Sequence, residues 1–81
     1  MKPYEYQSPA ERKARAMIHE RPTLRLIADW ELLKLLPPTV ENIAAGRWIA
    51  DELEARNPEA FEAWEGETFE LESPRSYFLP A

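Results

Sequence analysis

The chain has 81 residues, a net charge of −5 and no cysteine. This size limits it to one small domain, and the missing cysteines exclude disulfides and thiolate metal sites. A single histidine, His19, cannot form a histidine metal site, and no apolar run approaches the ~20 residues of a membrane span. Because residues 1–6 lack the apolar core of a signal peptide, we expect a cytoplasmic protein.

The first helix is predicted by the segment Ser8-Pro9-Ala10-Glu11. It has a cap residue, proline at the first helical position and glutamate three residues after the serine, which is a capping-box pattern. We therefore predict a helix over residues 9–20, preceded by an N-terminal arm, residues 1–8. Pro22 then interrupts the helical pattern, and Thr23 is the predicted cap of a second helix over residues 24–36, ended by two prolines.

The third and fourth helices are predicted by the same cap signals. Thr39 is the predicted cap of a helix over residues 40–56. Asn57-Pro58 repeats the cap-plus-proline pattern and opens a short helix that reaches residue 64 or 65, with Gly66 placed to end it. Residues 9–66 are thus predicted to form an all-α domain, a small bundle of three to four helices.

The tail, residues 67–81, has a different pattern. In residues 68–72 (TFELE), apolar side chains alternate with acidic ones, which is typical of a strand, and a proline follows at position 74. We predict an extended or flexible acidic and aromatic tail. Two arrangements stay open: an extended segment laid on the helices, or a disordered arm.

The second predicted helix is apolar on nearly every side, because nine of its residues are Leu, Ile, Ala or Trp. A helix of this kind is either central in its domain or has one half covered by another subunit. Since one thin core cannot hide so much apolar surface, we predict a homodimer.

Enzymatic activity is not predicted by any motif. The chain has only two glycines, so it has no phosphate loop, and without cysteine it has no Cys–His pair. Glu59, Glu62 and Glu65 recur at helical spacing, which is typical of a solvated face. His19 stands near the end of the first helix, where a cationic ring complements the helix dipole. We predict a protein that is not an enzyme and has no catalytic residues, cofactor or metal.

Nucleic-acid binding is the alternative to protein binding. Residues 36–40 could form the turn of a helix-turn-helix, after which the third helix would present Glu41, Asn42, Ala45, Arg47 and Trp48. Helices that read base edges usually carry several basic or amide side chains with basic flanks, and this one has too few. Acidic residues that imitate phosphates are a further possibility, although −5 is a modest charge for it. A DNA-binding or DNA-mimicking regulator is thus the alternative function.

A protein partner is favoured by the uneven charge distribution. Residues 51–72 contain nine acidic residues against one base, Arg56, with tryptophan and phenylalanine interleaved. Acidic surfaces suit basic protein partners, and aromatic residues are common interface anchors. The predicted partner-binding residues are Glu62, Trp64, Glu65, Phe69, Glu70, Tyr77 and Phe78. For Trp64 and the tail aromatics, a core position and an interface position both stay open.

Residues 47–64 read RWIADELEARNPEAFEAW, and residues 26–31 read LIADWE. Both stretches resemble segments of small helical proteins of actinobacteria and their phages. The resemblance covers about half the chain and brings no activity with it. It implies a small accessory protein of phage or host that acts by binding. Together with the acidic, aromatic surface, it predicts a non-enzymatic protein–protein interaction module that binds and modulates a host protein.

Overall fold

A computed structural model of the chain describes residues 8–79, and this part forms helices without any strand. The helices are α1 (Pro9–Glu20), α2 (Thr23–Leu33), α3 (Val40–Arg56), α4 (Pro58–Thr68) and α5 (Arg75–Phe78). The predicted all-α fold is confirmed. Residues 1–7 of the predicted N-terminal arm lie outside the described residues. Within residues 8–79, no helix has the length and apolar character needed to cross a membrane.

Side-chain caps begin three of the helices where the sequence predicts them. Ser8 Oγ accepts a hydrogen bond from the Glu11 backbone N–H at 3.1 Å, which starts α1. The hydroxyl of Thr39 starts α3, and the amide oxygen of Asn57 starts α4, each through a 3.1 Å bond from the N–H three residues later. The predicted bounds of α1 and α3 are confirmed. The starts of these helices could be predicted because each cap depends only on residues within one turn.

Helix α2 differs from its prediction at both ends. Thr23 is its first residue rather than its cap, and the Thr23 hydroxyl instead accepts a hydrogen bond from Arg56 at 3.1 Å. The helix ends at Leu33, three residues early, because residues 34–36 wind into tighter turns. There the N–H groups of Leu35 and Leu36 donate to carbonyls three residues back, at 3.0 and 3.2 Å.

Helix α4 runs past Gly66, which was predicted to end it, and stops at Thr68. Phe69 takes the left-handed conformation usually left to glycine, with φ 54°, and its N–H donates to Glu65 O at 2.9 Å. This bond closes the last turn of α4. The end of the helix is thus set by a phenylalanine three residues beyond the glycine.

The core lies on the side of α3 that α2 and α4 cover, and it is rich in aromatic rings. Trp64 is fully buried, and its ring meets Trp30, Phe61 and Phe78 edge-on at centroid distances of 5.4, 5.7 and 6.5 Å. The core residues are Leu26, Ile27, Trp30, Ile49, Ala50, Leu53, Phe61 and Trp64. Helix α1 contributes no fully buried residue and packs on the edge of α3.

The C-terminal segment lies on the bundle, which is one of the two arrangements left open for the tail, and it contains the short helix α5, which was not predicted. The Trp64 indole N–H donates to Glu72 O at 2.7 Å, and Pro74 is fully buried. The Ser73 hydroxyl and the Arg75 guanidinium both donate to the Glu31 carboxylate of α2, at 2.6 Å. These contacts hold α5 against α2 and α4. No local pattern in the sequence predicts them, because the bonded residues are far apart along the chain.

Acidification should loosen this C-terminal segment. Hydrogen bonds from Arg75 and Ser73 lower the pKa of Glu31 to about 2, against an ordinary value of 4.5. A lowered pKa means that the stabilisation is present above pH 4.5 and is lost as the pH falls toward 2. We expect the indole N–H resonance of Trp64 to shift over that range in an NMR titration.

The Glu31→Gln variant should show the shifted Trp64 resonance already at pH 6, because its side chain cannot ionise. Glu54→Gln is the matched control, since Glu54 is exposed on α3 and forms no ion pair in the described structure. Identical titrations of Glu31→Gln and wild type would show that the Glu31 contacts do not hold the segment.

Candidate protein-binding site

The exposed side of α4 carries acidic side chains that form no ion pair within residues 8–79. Glu59, Glu62, Glu65 and Glu67 are all exposed on this helix. Within residues 8–79, every ion pair involves a carboxylate of α1, α2 or α3. Helix α4 itself contains no basic residue. Its carboxylates therefore form a patch of negative potential that attracts cationic groups.

A strained turn follows α4 and places a large ring in solvent. Phe69 and Glu70 have φ values of 54° and 62°, in the left-handed region that non-glycine residues rarely adopt. Thr68 holds the turn, since its hydroxyl donates to Trp64 O at 2.7 Å and accepts from the Glu70 N–H at 3.2 Å. Phe69 is 77% exposed. Strain of this kind often marks functional positions, and here it presents an aromatic side chain outward.

The acidic patch and the exposed ring enclose one shallow groove. Its lining residues are Glu62, Glu65, Gly66, Phe69 and Glu70, and it measures about 480 Å³. Gly66 faces open space in the groove, since a Cβ atom at this position would meet no other atom within 4 Å. We call this feature the acidic groove.

Glu70 is the most perturbed carboxyl group of the acidic groove. Partial burial, followed by its hydrogen bond with Glu65, raises the pKa of Glu70, while the charges of Arg47 and Lys34 act in the opposite direction. Two neighbouring carboxyl groups cannot both ionise easily. A cationic side chain bound beside them would favour the ionised form, so the groove is electrostatically suited to a lysine or arginine.

A second groove of about 430 Å³ adjoins the first at Glu70. It lies between α2 and α3, and Leu36 and Ile43 line it together with Lys34 and Arg47. These residues stand 23 to 36 positions before Glu70 in the sequence, so no local pattern links them to it. Only the packing of the turn against α2 and α3 brings them together. A ligand of the acidic groove can therefore extend over apolar side chains.

Of the seven predicted partner-binding residues, four line the acidic groove: Glu62, Glu65, Phe69 and Glu70. Trp64 does not line the groove, because its ring is fully buried in the core. Tyr77 and Phe78 are partly buried on α5 and pack against the core, and the Tyr77 hydroxyl donates to Glu67 at 3.3 Å. Phe69 is thus the one aromatic residue that lines the acidic groove.

Two of the α3 side chains considered for base reading, Asn42 and Trp48, are half-buried, whereas Arg47 is exposed. The Asn42 amide donates to Pro37 O at 2.8 Å and is occupied in the turn before the helix. Trp48 is half-buried, with the Arg15 guanidinium 6.0 Å from its ring centroid. The exposed residues left on this surface include Glu41, which phosphates would repel.

Metal-ligating groups are not gathered at any one place between Ser8 and Leu79. His19 lies at the exposed end of α1, where its Nδ1 is 3.1 Å from a Glu52 carboxylate oxygen. Because Glu52 also pairs with Arg56 at 2.9 Å, these three side chains form a polar network that joins α1 to α3. The contact of His19 with Glu52 therefore gives the histidine a structural role.

No protein-family model, curated protein or solved structure matches the chain. The resemblance of residues 47–64 to proteins of actinobacteria and their phages therefore stays a prediction. What the chain can do is inferred from the geometry of the acidic groove.

Proposed function

We propose that this protein is a non-enzymatic protein–protein interaction module that binds a basic partner protein in its acidic groove. The observation that carries the proposal is the strained, exposed Phe69 beside the exposed Glu62 and Glu65 and the half-buried Glu70. Aromatic anchors surrounded by charge are common in protein interfaces, where the ring supplies affinity and the charges supply selectivity.

The groove also indicates which side chains the partner brings. Its carboxylates suit lysine or arginine, and the exposed Leu36 and Ile43 beyond Glu70 suit an apolar residue next to them. We infer a basic segment with an apolar anchor on a cytoplasmic host protein. The resemblance to proteins of actinobacteria and their phages supports the role of a phage or accessory factor that modulates this partner, and we propose that it acts as a homodimer.

The proposal is tested by affinity capture from nuclease-treated actinobacterial lysate. Three immobilised proteins are compared: the wild type, a Glu62→Gln/Glu65→Gln site variant and a Glu20→Gln/Glu54→Gln control. The control changes the net charge equally at exposed positions on other helices. We expect wild type and control to retain one basic protein, and the site variant to bind that protein at least ~10-fold more weakly, which corresponds to about 1.4 kcal/mol.

Equal loss of capture in both variants would mean that only net charge matters and would contradict a specific groove. Capture that survives in the site variant would place the interface elsewhere. If the retained protein binds DNA and added DNA displaces it in a salt-sensitive way, the DNA-mimicking alternative is the correct one.

A further inference from the structure

Helix α2 has a second apolar side that residues 8–79 leave uncovered. Leu24, Ala28 and Leu32 recur every four residues and therefore lie on one side of the helix. Leu24 and Leu32 are each 56% exposed, Ala28 is exposed, and Leu35 just beyond the helix is 84% exposed. The opposite side of α2 packs in the core. We call the uncovered side the outer stripe of α2.

The outer stripe is continued by neighbouring apolar residues. Met17 of α1 lines a groove with Leu32. The large exposed side chains of this surface are Met17, Leu24, Leu32 and Leu35. At roughly 100 Å² per fully exposed aliphatic side chain, they present roughly 250 Å² of apolar surface. That is a little over half of the apolar part of one side of a standard interface, which is roughly 450 of 800 Å².

The charges that border the outer stripe already cancel each other within the chain. On one edge, Asp29 accepts hydrogen bonds from Arg21 and Arg25. On the other edge, Glu31 pairs with Arg75 at 2.6 Å. Because its bordering charges are already paired, this surface does not need a strongly charged partner, whereas the acidic groove suits a basic one. It suits an equally apolar surface whose edges carry both signs of charge, as those of a second copy do.

We propose that two copies associate through their outer stripes, with α2 antiparallel to itself and the two-fold axis at Ala28. This arrangement rests on the homodimer of the proposed function and specifies its interface. Leu24 of one copy packs against Leu32 of the other, and the small Ala28 lets the two helices approach closely. A two-fold axis brings the same edge of each copy together. Arg25 of one copy therefore lies beside Asp29 of the other, and their opposite charges attract.

A disulfide tests the position of the two-fold axis directly. Ala28 then faces its own copy, and the chain has no cysteine that could compete. We expect the Ala28→Cys variant to form a covalent dimer under mild oxidation at micromolar concentration, seen on a non-reducing gel. Ala55→Cys is the matched control, because Ala55 is an exposed alanine on α3. Equal cross-linking of the two variants, or none in Ala28→Cys, would overturn the proposed register.

Charge at the same position tests the interface without cross-linking. In Ala28→Glu, two carboxylates meet at the two-fold axis, so sedimentation should give the 9.5 kDa mass of one chain instead of twice that mass. Ala55→Glu should stay dimeric, and circular dichroism should show unchanged helix content in both variants, since both alanines are exposed. A monomeric wild type at millimolar concentration would overturn the proposal. Partner capture by Ala28→Glu tests the acidic groove separately, because failure of one surface leaves the other measurable.

Discussion

Replacing Trp64 with alanine should lower the free energy of unfolding by about 3–5 kcal/mol, the usual cost of removing a large buried aromatic side chain. Trp64 is fully buried, contacts three other aromatic rings and donates its indole N–H to Glu72 O at 2.7 Å. A chain of this size is expected to have roughly 4–12 kcal/mol in total. Urea denaturation followed by circular dichroism would measure the loss.

Two further variants separate the contributions to this loss. Trp64→Phe keeps a ring but leaves Glu72 O without its donor, so we expect a smaller cost of about 1.5–3 kcal/mol. Trp48→Ala is the matched control, because Trp48 is only half-buried on α3 and should cost less than Trp64→Ala. A cost below about 1 kcal/mol for Trp64→Ala would contradict the central place of this ring in the core.

Replacing Phe69 with glycine should change stability and binding in opposite directions. Phe69 has φ 54° and is 77% exposed, so glycine relieves backbone strain and sacrifices little burial. We expect a gain of about 0.5–1 kcal/mol in the free energy of unfolding. Loss of the ring should weaken binding of the captured partner at least ~10-fold, as expected for an aromatic anchor. Denaturation and affinity measurements on the same sample would show both changes.

Phe69→Ala is the variant that assigns these two effects. It removes the ring but keeps a Cβ atom in the left-handed conformation, so binding should fall as in Phe69→Gly while stability stays near wild type. Leu71→Ala is the control for exposed apolar surface, because Leu71 is exposed but does not line the acidic groove. If Leu71→Ala weakens binding as much as Phe69→Ala, the partner does not depend on the groove.

Local signals in the sequence predicted the helices well where the stabilising contacts are themselves local. The caps at Ser8, Thr39 and Asn57 each bond to an N–H three residues later, so a short segment contains all the information that is needed. The prediction was wrong at Gly66, because the end of α4 depends on Phe69, which adopts a conformation that favours glycine. For the tail, the sequence left two arrangements open, because the contacts that decide between them join Ser73 and Arg75 to Glu31, more than 40 residues away.

The candidate site shows the same difference between features set by local contacts and features set by distant ones. Glu62, Glu65, Phe69 and Glu70 were predicted from their density of charge and aromatic rings, since a short helix and the turn after it bring neighbours in sequence together. Trp64 lies among them in sequence, but whether its ring faces a partner or the core depends on Trp30 of α2, 34 positions earlier. The high number of apolar residues in α2 could be seen in the sequence, but the side of the helix that stays exposed could not.

The sequence by itself thus determined the helical class, the starts of three helices and the acidic, aromatic character of the C-terminal half. These properties follow from composition and from hydrogen bonds within a single turn. Only the tertiary structure decided that Trp64 is buried, that Phe69 is exposed and that the outer stripe of α2 lacks cover. Burial depends on which distant segments pack against a residue, and such contacts leave no local pattern to detect.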